Sequence, residues 1–297
     1  MKKESGWKDY LALIAAVFFW SSAFVFSKHA LIGFGPITLA AFRIVLCFLL
    51  LLPLAARRGF HMKDLLRKDS FFFGIVGYGG NMALVTLGLS GCSAGISAVA
   101  HGMFPVFMIF FGYLLLSEKV NLQKGIGVCF AVGGVVMATI GDLAVNEGSH
   151  LWGVLLVVLS VFIWAWYSVT VKKKAVAMDA IILTELGFGT ATITFLPLAL
   201  GEMALTGLPT PDVTTLIAIL YLAVMSGIFA TICWNAAVKK VPAVVSGVFF
   251  NLMPVIGLGF ALLAGEGASW LNVTGCGLVL IGVLFTTLEK RKPRSGD

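Results

Sequence analysis

The side chains able to do chemistry are few in this sequence, and most of them lie deep inside apolar runs. Counted from the start of its run, Trp20 stands ten residues in, Asn81 eleven, His101 eight and Asn251 nine. A helix rises about 1.5 Å per residue, so all four reach the middle of an apolar layer roughly 30 Å thick. A neutral imidazole donates from one ring nitrogen and accepts at the other, which suits a zwitterion or a carboxylate. Its reference pKa of about 6.5 also lets small environmental shifts change its charge. Two charged residues share such runs, Arg43 and Glu185. By helix rise Arg43 falls about 10 Å below the outer face and Glu185 about 9 Å above the inner one. Those depths are too different for a salt bridge, so the two are not paired. Arg43 is expected to bond helix-end carbonyls or to line the outer mouth. Glu185 is expected to attract a cationic group or a proton.

Catalytic chemistry finds little support. There is no zinc-type His/Glu spacing, no Gly-x-Ser-x-Gly turn and no Walker-type phosphate loop. Cys47, Cys129, Cys233 and Cys276 fall within apolar runs and Cys92 at the edge of one, which argues against both a disulfide framework and a metal site. An intramembrane enzyme would need a reactive pair. His101 and Glu185 are the two side chains that could supply one, and their depths differ. No enzyme activity, cofactor or metal is expected.

The elements that must position these residues follow from composition. Hydrophobic residues make up 59% of the 297 and charged residues 12%, about half of what a water-facing surface of this size needs. Stretches of about 20 apolar residues span a bilayer, and ten can be traced: 10–32, 36–56, 70–90, 93–116, 123–141, 151–172, 179–200, 213–238, 242–264 and 270–288. They are continuously apolar, without the alternation of a membrane barrel, and therefore helical. The first is too long for a signal-peptide core and reads as a retained helix. With the N-terminus inside, 19 of the 21 basic residues fall in inside segments, while Asp142, Glu147, Glu202, Asp212 and Glu266 fall outside. That bias sets an N-in, C-in topology. It also disposes of a nucleic-acid partner, because the positive charge is spread over six separate segments. Trp7, Trp152 and Trp270 stand at the interfaces as belt anchors.

The runs repeat. Phe18, Trp20 and Lys28 recur 144 residues later as Phe162, Trp164 and Lys172, and Pro53 recurs as Pro197. Pro105 with Glu118 recurs as Pro254 with Glu266, and Gly125, Gly127 and Gly133 as Gly275, Gly277 and Gly282. The halves are 1–144 and 145–297, with five helices each. Five is odd, so the second half enters the membrane from the opposite side. The expected fold is an all-α membrane protein of ten transmembrane helices in two inverted five-helix repeats, an architecture that places a working site near the midplane.

On Trp20 with its flanking serines, Phe42-Arg43, Pro105 with Glu118, their second-half counterparts and the Gly-rich fifth and tenth helices, the chain resembles the drug/metabolite transporter superfamily. Within it the chain is similar to the EamA-type ten-helix members, over essentially its whole length. The resemblance implies carriage of amino acids, related metabolites, nucleotide-like compounds or drugs. It further implies a cavity walled by helices 1, 3, 4, 6, 8 and 9, with 5 and 10 to one side. His101 departs from the family pattern, where a small or apolar residue is expected. Arg43 has no basic mirror, since Gly187 occupies the aligned position.

Polar side chains at midplane depth must face the bundle interior or a wet cavity. The expected lining is Trp20, Tyr78, Asn81, His101, Trp164, Tyr167 and Asn251, with kinks at Pro105 and Pro254, since a proline frees a carbonyl one turn earlier. Each has a plainer reading: the amides as glue between helices, His101 as a satisfied core residue, the indoles as packing. The glycines of helices 5 and 10 read as close-packing devices. Aromatic walls and neutral amides suit a small amphipathic metabolite, so an amino acid or relative is the expected substrate, exported across the inner membrane by a monomer, with a proton as candidate coupling ion. Cationic drug efflux is the alternative, and an intramembrane enzyme or non-transporting receptor the rival class. Reporter fusions after Lys68, Lys174 and Arg294 should all report cytoplasm, and a periplasmic signal at two of them would end the ten-helix reading.

Overall fold

The computed structural model describes residues 6–116, 122–174, 178–241 and 243–287. Glu118 and the basic residues Lys2, Lys3, Lys119, Lys290, Arg291, Lys292 and Arg294 lie outside them. The described residues are helical nearly throughout. Eight helices are long and apolar enough to cross a membrane: α1 Trp7–Ala30, α2 Pro36–Arg57, α3 Ser70–Ser90, α4 Ala94–Leu115, α5 Gly125–Val145, α6 Leu151–Val171, α7 Ala180–Thr206 and α8 Val213–Val238. Two further apolar helices follow, α9 Leu252–Leu263 and α10 Trp270–Thr287. A short arm, Ala243–Phe250, leads into α9. The protein is a multi-pass membrane protein.

Successive helices run in opposite directions, so the connections collect at two faces. On the face where α1 begins, Lys240 Nζ pairs with Asp9 Oδ1 at 2.8 Å and Arg58 Nη1 with Asp179 Oδ2 at 3.1 Å. On the opposite face the connections bond one another: Thr210 N–H to the Gly33 carbonyl at 3.2 Å, His150 N–H to the Gly91 carbonyl at 2.6 Å, and Asn146 Nδ2 to the Gly267 carbonyl at 2.9 Å. Two carboxylates clamp helix starts there. Glu202, in the last turns of α7, accepts from the amides of Ile37 and Thr38 and from the Thr38 hydroxyl. Glu266 accepts from the amides of Ala94 and Gly95 at 2.8 and 2.9 Å. The first turn of a helix carries unsatisfied N–H groups and the positive end of its dipole, so each carboxylate answers both.

Four helical stretches are interrupted, and the interruptions come in pairs. In α3, residues Phe73–Gly80 form a π-helix, and in α8 residues Leu222–Phe229 do the same, 149 positions later. The α4 span breaks at Gly102–Met103, and α9 begins after a turn at Asn251, again 149 positions after Gly102. Both breaks stand three residues ahead of a proline, Pro105 or Pro254. Proline has no N–H to offer the carbonyl four residues back, which leaves His101 and Phe250 with freed carbonyls. At the first break the chain tightens, with Gly102 N–H to the Val99 carbonyl at 2.9 Å and Met103 N–H to Ala100 at 3.0 Å.

The α5 and α10 helices pack along each other beside the remaining bundle, backbone against backbone. A Cβ on Gly275 would stand 2.6 Å from the Gly134 carbonyl oxygen and 2.7 Å from the Ala138 amide, and one on Gly282 would stand 2.5 Å from the Ala131 amide. Gly125, Gly133 and Gly277 face open space instead, so the close contact uses Gly134, Gly275 and Gly282 and not the whole glycine pattern. Gly275→Ala should therefore lower the melting temperature in detergent, since overpacking against backbone that cannot yield costs about 1–3 kcal/mol. Gly277→Ala should leave it unchanged or raise it. Equal effects from the two would show that the interface is not packed on Gly275.

Candidate functional site

A cavity opens at the centre of the bundle, walled by every helix except α5 and α10. Its lining comprises Trp20, Ala23, Phe24 and Ser27 from α1, Arg43 from α2, and Tyr78, Asn81, Met82 and Val85 from α3. His101, Trp164, Phe188, Ser226, Gly227, Thr231, Phe250 and Met253 complete it. Its volume of about 100 Å³ is several times the roughly 10–15 Å³ that a single water needs, so it admits a solute. The α2 and α7 helices each give one wall residue, Arg43 and Phe188, where the family resemblance implies neither helix on the wall.

The aromatic wall is held by specific contacts. Trp20 and Trp164 meet edge to face at 5.6 Å, and the Trp20 indole N–H donates to the Ser226 carbonyl at 3.0 Å, within the π segment of α8. Phe250 stacks on Phe104 at 4.0 Å and approaches Trp20 at 6.1 Å. His101 lies against Phe24, ring centroids 4.8 Å apart, and its Nδ1 stands 2.8 Å from the Ser97 carbonyl. A carbonyl can only accept, so Nδ1 carries the hydrogen and Nε2 of the neutral ring is an acceptor. The Asn81 amide donates to the Ser160 carbonyl at 2.9 Å, so Asn81 ties α3 to α6 as well as lining the wall.

Toward the face where α1 begins, a buried polar network connects four helices. Asn235 Nδ2 donates to the Tyr78 hydroxyl at 2.9 Å and to the Thr184 hydroxyl at 3.0 Å, and the Tyr167 hydroxyl donates to that of Tyr78 at 3.2 Å. Trp164 stacks on Tyr167 at 4.8 Å. Tyr78 thus has its ring on the wall and its hydroxyl in the network below.

Of the seven residues expected on the wall, Trp20, Tyr78, Asn81, His101 and Trp164 are brought together there. Tyr167 stands behind Tyr78 as part of that network. Asn251 is buried beside the cavity without lining it, and its Oδ1 has no partner. The wall position belongs to its neighbour Phe250, which is 149 residues from His101 just as Pro254 is from Pro105. Taking that spacing one residue at a time would have selected Phe250. Arg43 lies on the cavity wall, with Nη1 3.1 Å from the Ser27 hydroxyl, and bonds no helix-end carbonyl among the described residues. Glu185 is fully buried, off the wall, with neither carboxylate oxygen bonded. No ion pair joins the two among the described residues.

The sequence profile of the EamA-like transporter family matches residues 7–140 and again residues 151–288. The chain belongs to the EamA-like transporter family. Whole-length relatives agree with that membership. An "uncharacterized transporter" of Archaeoglobus fulgidus is 27% identical, over 96% of this chain and 100% of its own length. A "probable amino-acid metabolite efflux pump" of Salmonella typhimurium is 26% identical, over 99% and 98%. A solved crystal structure with 19% identity has the same fold, at a TM-score of 0.69 over 96% of this chain and 98% of its own.

For this EamA-like transporter the buried network yields a direct test. Asn235→Leu would leave the buried Tyr78 and Thr184 hydroxyls short of a partner, a loss of about 1–3 kcal/mol, and the melting temperature in detergent should fall accordingly. Asn251→Leu removes an amide whose oxygen has no partner and should cost nothing. The reverse order would show that the network does not stabilise this state.

Proposed function

We propose that this EamA-like transporter is a secondary exporter of a small amphipathic metabolite, an amino acid or a relative of one. The observation that carries the reading is the central cavity, open to a solute in the middle of the bundle and sealed on one face by the Tyr78, Tyr167, Asn235 and Thr184 network. A site closed on one side by side chains of four different helices suits alternating access, in which that seal parts as another forms. The efflux-pump relative in Salmonella typhimurium favours an amino-acid-like substrate and the outward direction.

The architecture proposed for it is ten spans in two inverted five-helix repeats, 1–144 and 145–297, with both termini on the cytoplasmic side of an inner membrane. The paired interruptions 149 residues apart support this reading, as do the basic residues Arg57, Arg58, Lys63, Arg67, Lys239 and Lys240 at the face where α1 begins. One chain contains a complete wall, which supports a functional monomer. The sequence has no phosphate loop, so the driving force in this reading is a gradient or the substrate's own concentration difference, and Glu185, buried with both carboxylate oxygens unbonded, is the candidate for a coupling proton. The cavity wall includes no acidic side chain, which tells against cationic drugs as the substrate. His101 and Glu185 do not share that wall, which tells against the reactive pair an enzyme would need.

Efflux from cells overexpressing the chain, screened over amino acids, tests the reading. In that assay His101→Ala should weaken transport without lowering the amount of folded protein, and His101→Gln should retain part of it. Poor expression of both variants, with normal transport by the folded remainder, would assign His101 to the core.

A further inference from the structure

Arg43 carries the one permanent charge on the cavity wall. It stands seven residues into α2 and is only 5% exposed. A guanidinium has five N–H donors in a planar fork. Here Nη1 reaches the Ser27 hydroxyl at 3.1 Å, while Nε, fully buried, has no partner. Among the described residues no carboxylate lies within ion-pair distance of it and no backbone carbonyl accepts from it. Placing a cation in a low-dielectric interior costs several kcal/mol or more, and such groups are normally paired or fully hydrogen-bonded. Arg43 is neither. A structural role, tying helix ends together, would show as bonds to carbonyls, and there are none. What the arrangement lacks is an anion, and the place from which an anion can come is the cavity.

We propose that Arg43, with Ser27 steadying it, is the carboxylate anchor of the central site, so that the transported compounds are aromatic or apolar carboxylates. The inference rests on the exporter reading above and narrows its substrate class. A carboxylate matches the guanidinium fork with two parallel charge-assisted hydrogen bonds, using donors that the protein leaves unbonded. The rest of such a molecule meets Trp20, Trp164, Phe24 and Phe250, faces that take an apolar or aromatic group. His101 Nε2, an acceptor by virtue of the Nδ1 bond to Ser97, can receive an ammonium group, so a zwitterionic amino acid satisfies both polar ends. The single fixed charge decides the order of importance: the carboxylate is required and the amine is an addition. The second half supplies no competing cation, since Gly187 takes the aligned position and packs against the Tyr78 ring.

Three probes that differ in one group each separate these demands: L-phenylalanine, 3-phenylpropionate, which lacks the amine, and phenethylamine, which lacks the carboxylate. Equilibrium binding to the purified full chain in detergent should show phenylalanine and phenylpropionate bound, and phenethylamine at least tenfold weaker. Arg43→Gln should weaken the two carboxylates at least tenfold and abolish the preference, Arg43→Lys should restore part of it, and Ser27→Ala should give a smaller loss. If Arg43→Gln does not fold, the probe series on the unaltered chain decides alone. Phenethylamine binding as well as phenylalanine, an undiminished preference in a folded Arg43→Gln, or no binding of any probe at millimolar concentration would overturn the anchor. Counterflow of the same probes in proteoliposomes keeps the two readings apart. Carboxylates that bind without being carried would leave the anchor standing and remove the transporter. An amine carried as well as the acids would do the opposite.

Discussion

A peptide group freed from its helix inside a bilayer has no water to turn to, and this constraint shapes the whole molecule. It is why the chain is helical nearly throughout the described residues. It is also why the interruptions within α3, α4 and α8 lie beside the cavity, where the cavity and neighbouring helices can meet the loosened groups. The Trp20 indole on the carbonyl of Ser226, inside the π segment of α8, is one such repair. The carbonyls that Pro105 and Pro254 release belong to His101 and Phe250, both of them wall residues. The interruptions and the cavity are therefore one feature, because irregular backbone is tolerated in a membrane only where it lines a polar space or is buried in protein.

Position along each helix was legible in the sequence, and direction around it was not. Counting residues from the start of a run places Trp20, Asn81 and His101 near the midplane, and all three line the cavity. The same arithmetic gives the height of Arg43 but says nothing of which way it points, and so an inward-facing cation reads as a mouth residue. Tyr167 and Asn251 do not line the cavity: Tyr167 sits toward the face where α1 begins, in the network behind Tyr78, and Asn251 is buried beside the wall residue Phe250. Asn235 carries no mark in the sequence, because its importance lies in Tyr78 and Thr184, which come from helices far away in sequence. The π segments leave uneven marks: α3 has Gly74, Gly77, Gly79 and Gly80 within Phe73–Gly80, while Leu222–Phe229 in α8 has only Gly227.

The two faces are finished by different chemistry. Where α1 begins, ion pairs between side chains such as Asp9 and Lys240 join helix ends at the surface, and exposed pairs of that kind contribute little individually. On the other face Glu202 and Glu266 bind the amides that open α2 and α4, and the α2 clamp lies about one and a half turns from Arg43. The helix that presents the cation to the cavity is thus fixed at its start by a carboxylate from α7. Any motion that changes the height of Arg43 has to carry α7 with it or release that clamp.

The π segments have a consequence for phase. A regular helix turns about 100° per residue, and a π segment accommodates surplus residues by widening, which resets the angular position of everything that follows. In α3 the residues after Gly80 include Asn81, Met82 and Val85, three of the four that α3 gives to the wall. Removing a single residue between 73 and 80 would return the segment toward regular winding and swing those side chains about a quarter-turn away from the centre, with composition and hydropathy nearly unaltered. The cavity is in this sense a matter of counting: its chemistry depends on how many residues lie upstream in the span as much as on which ones they are.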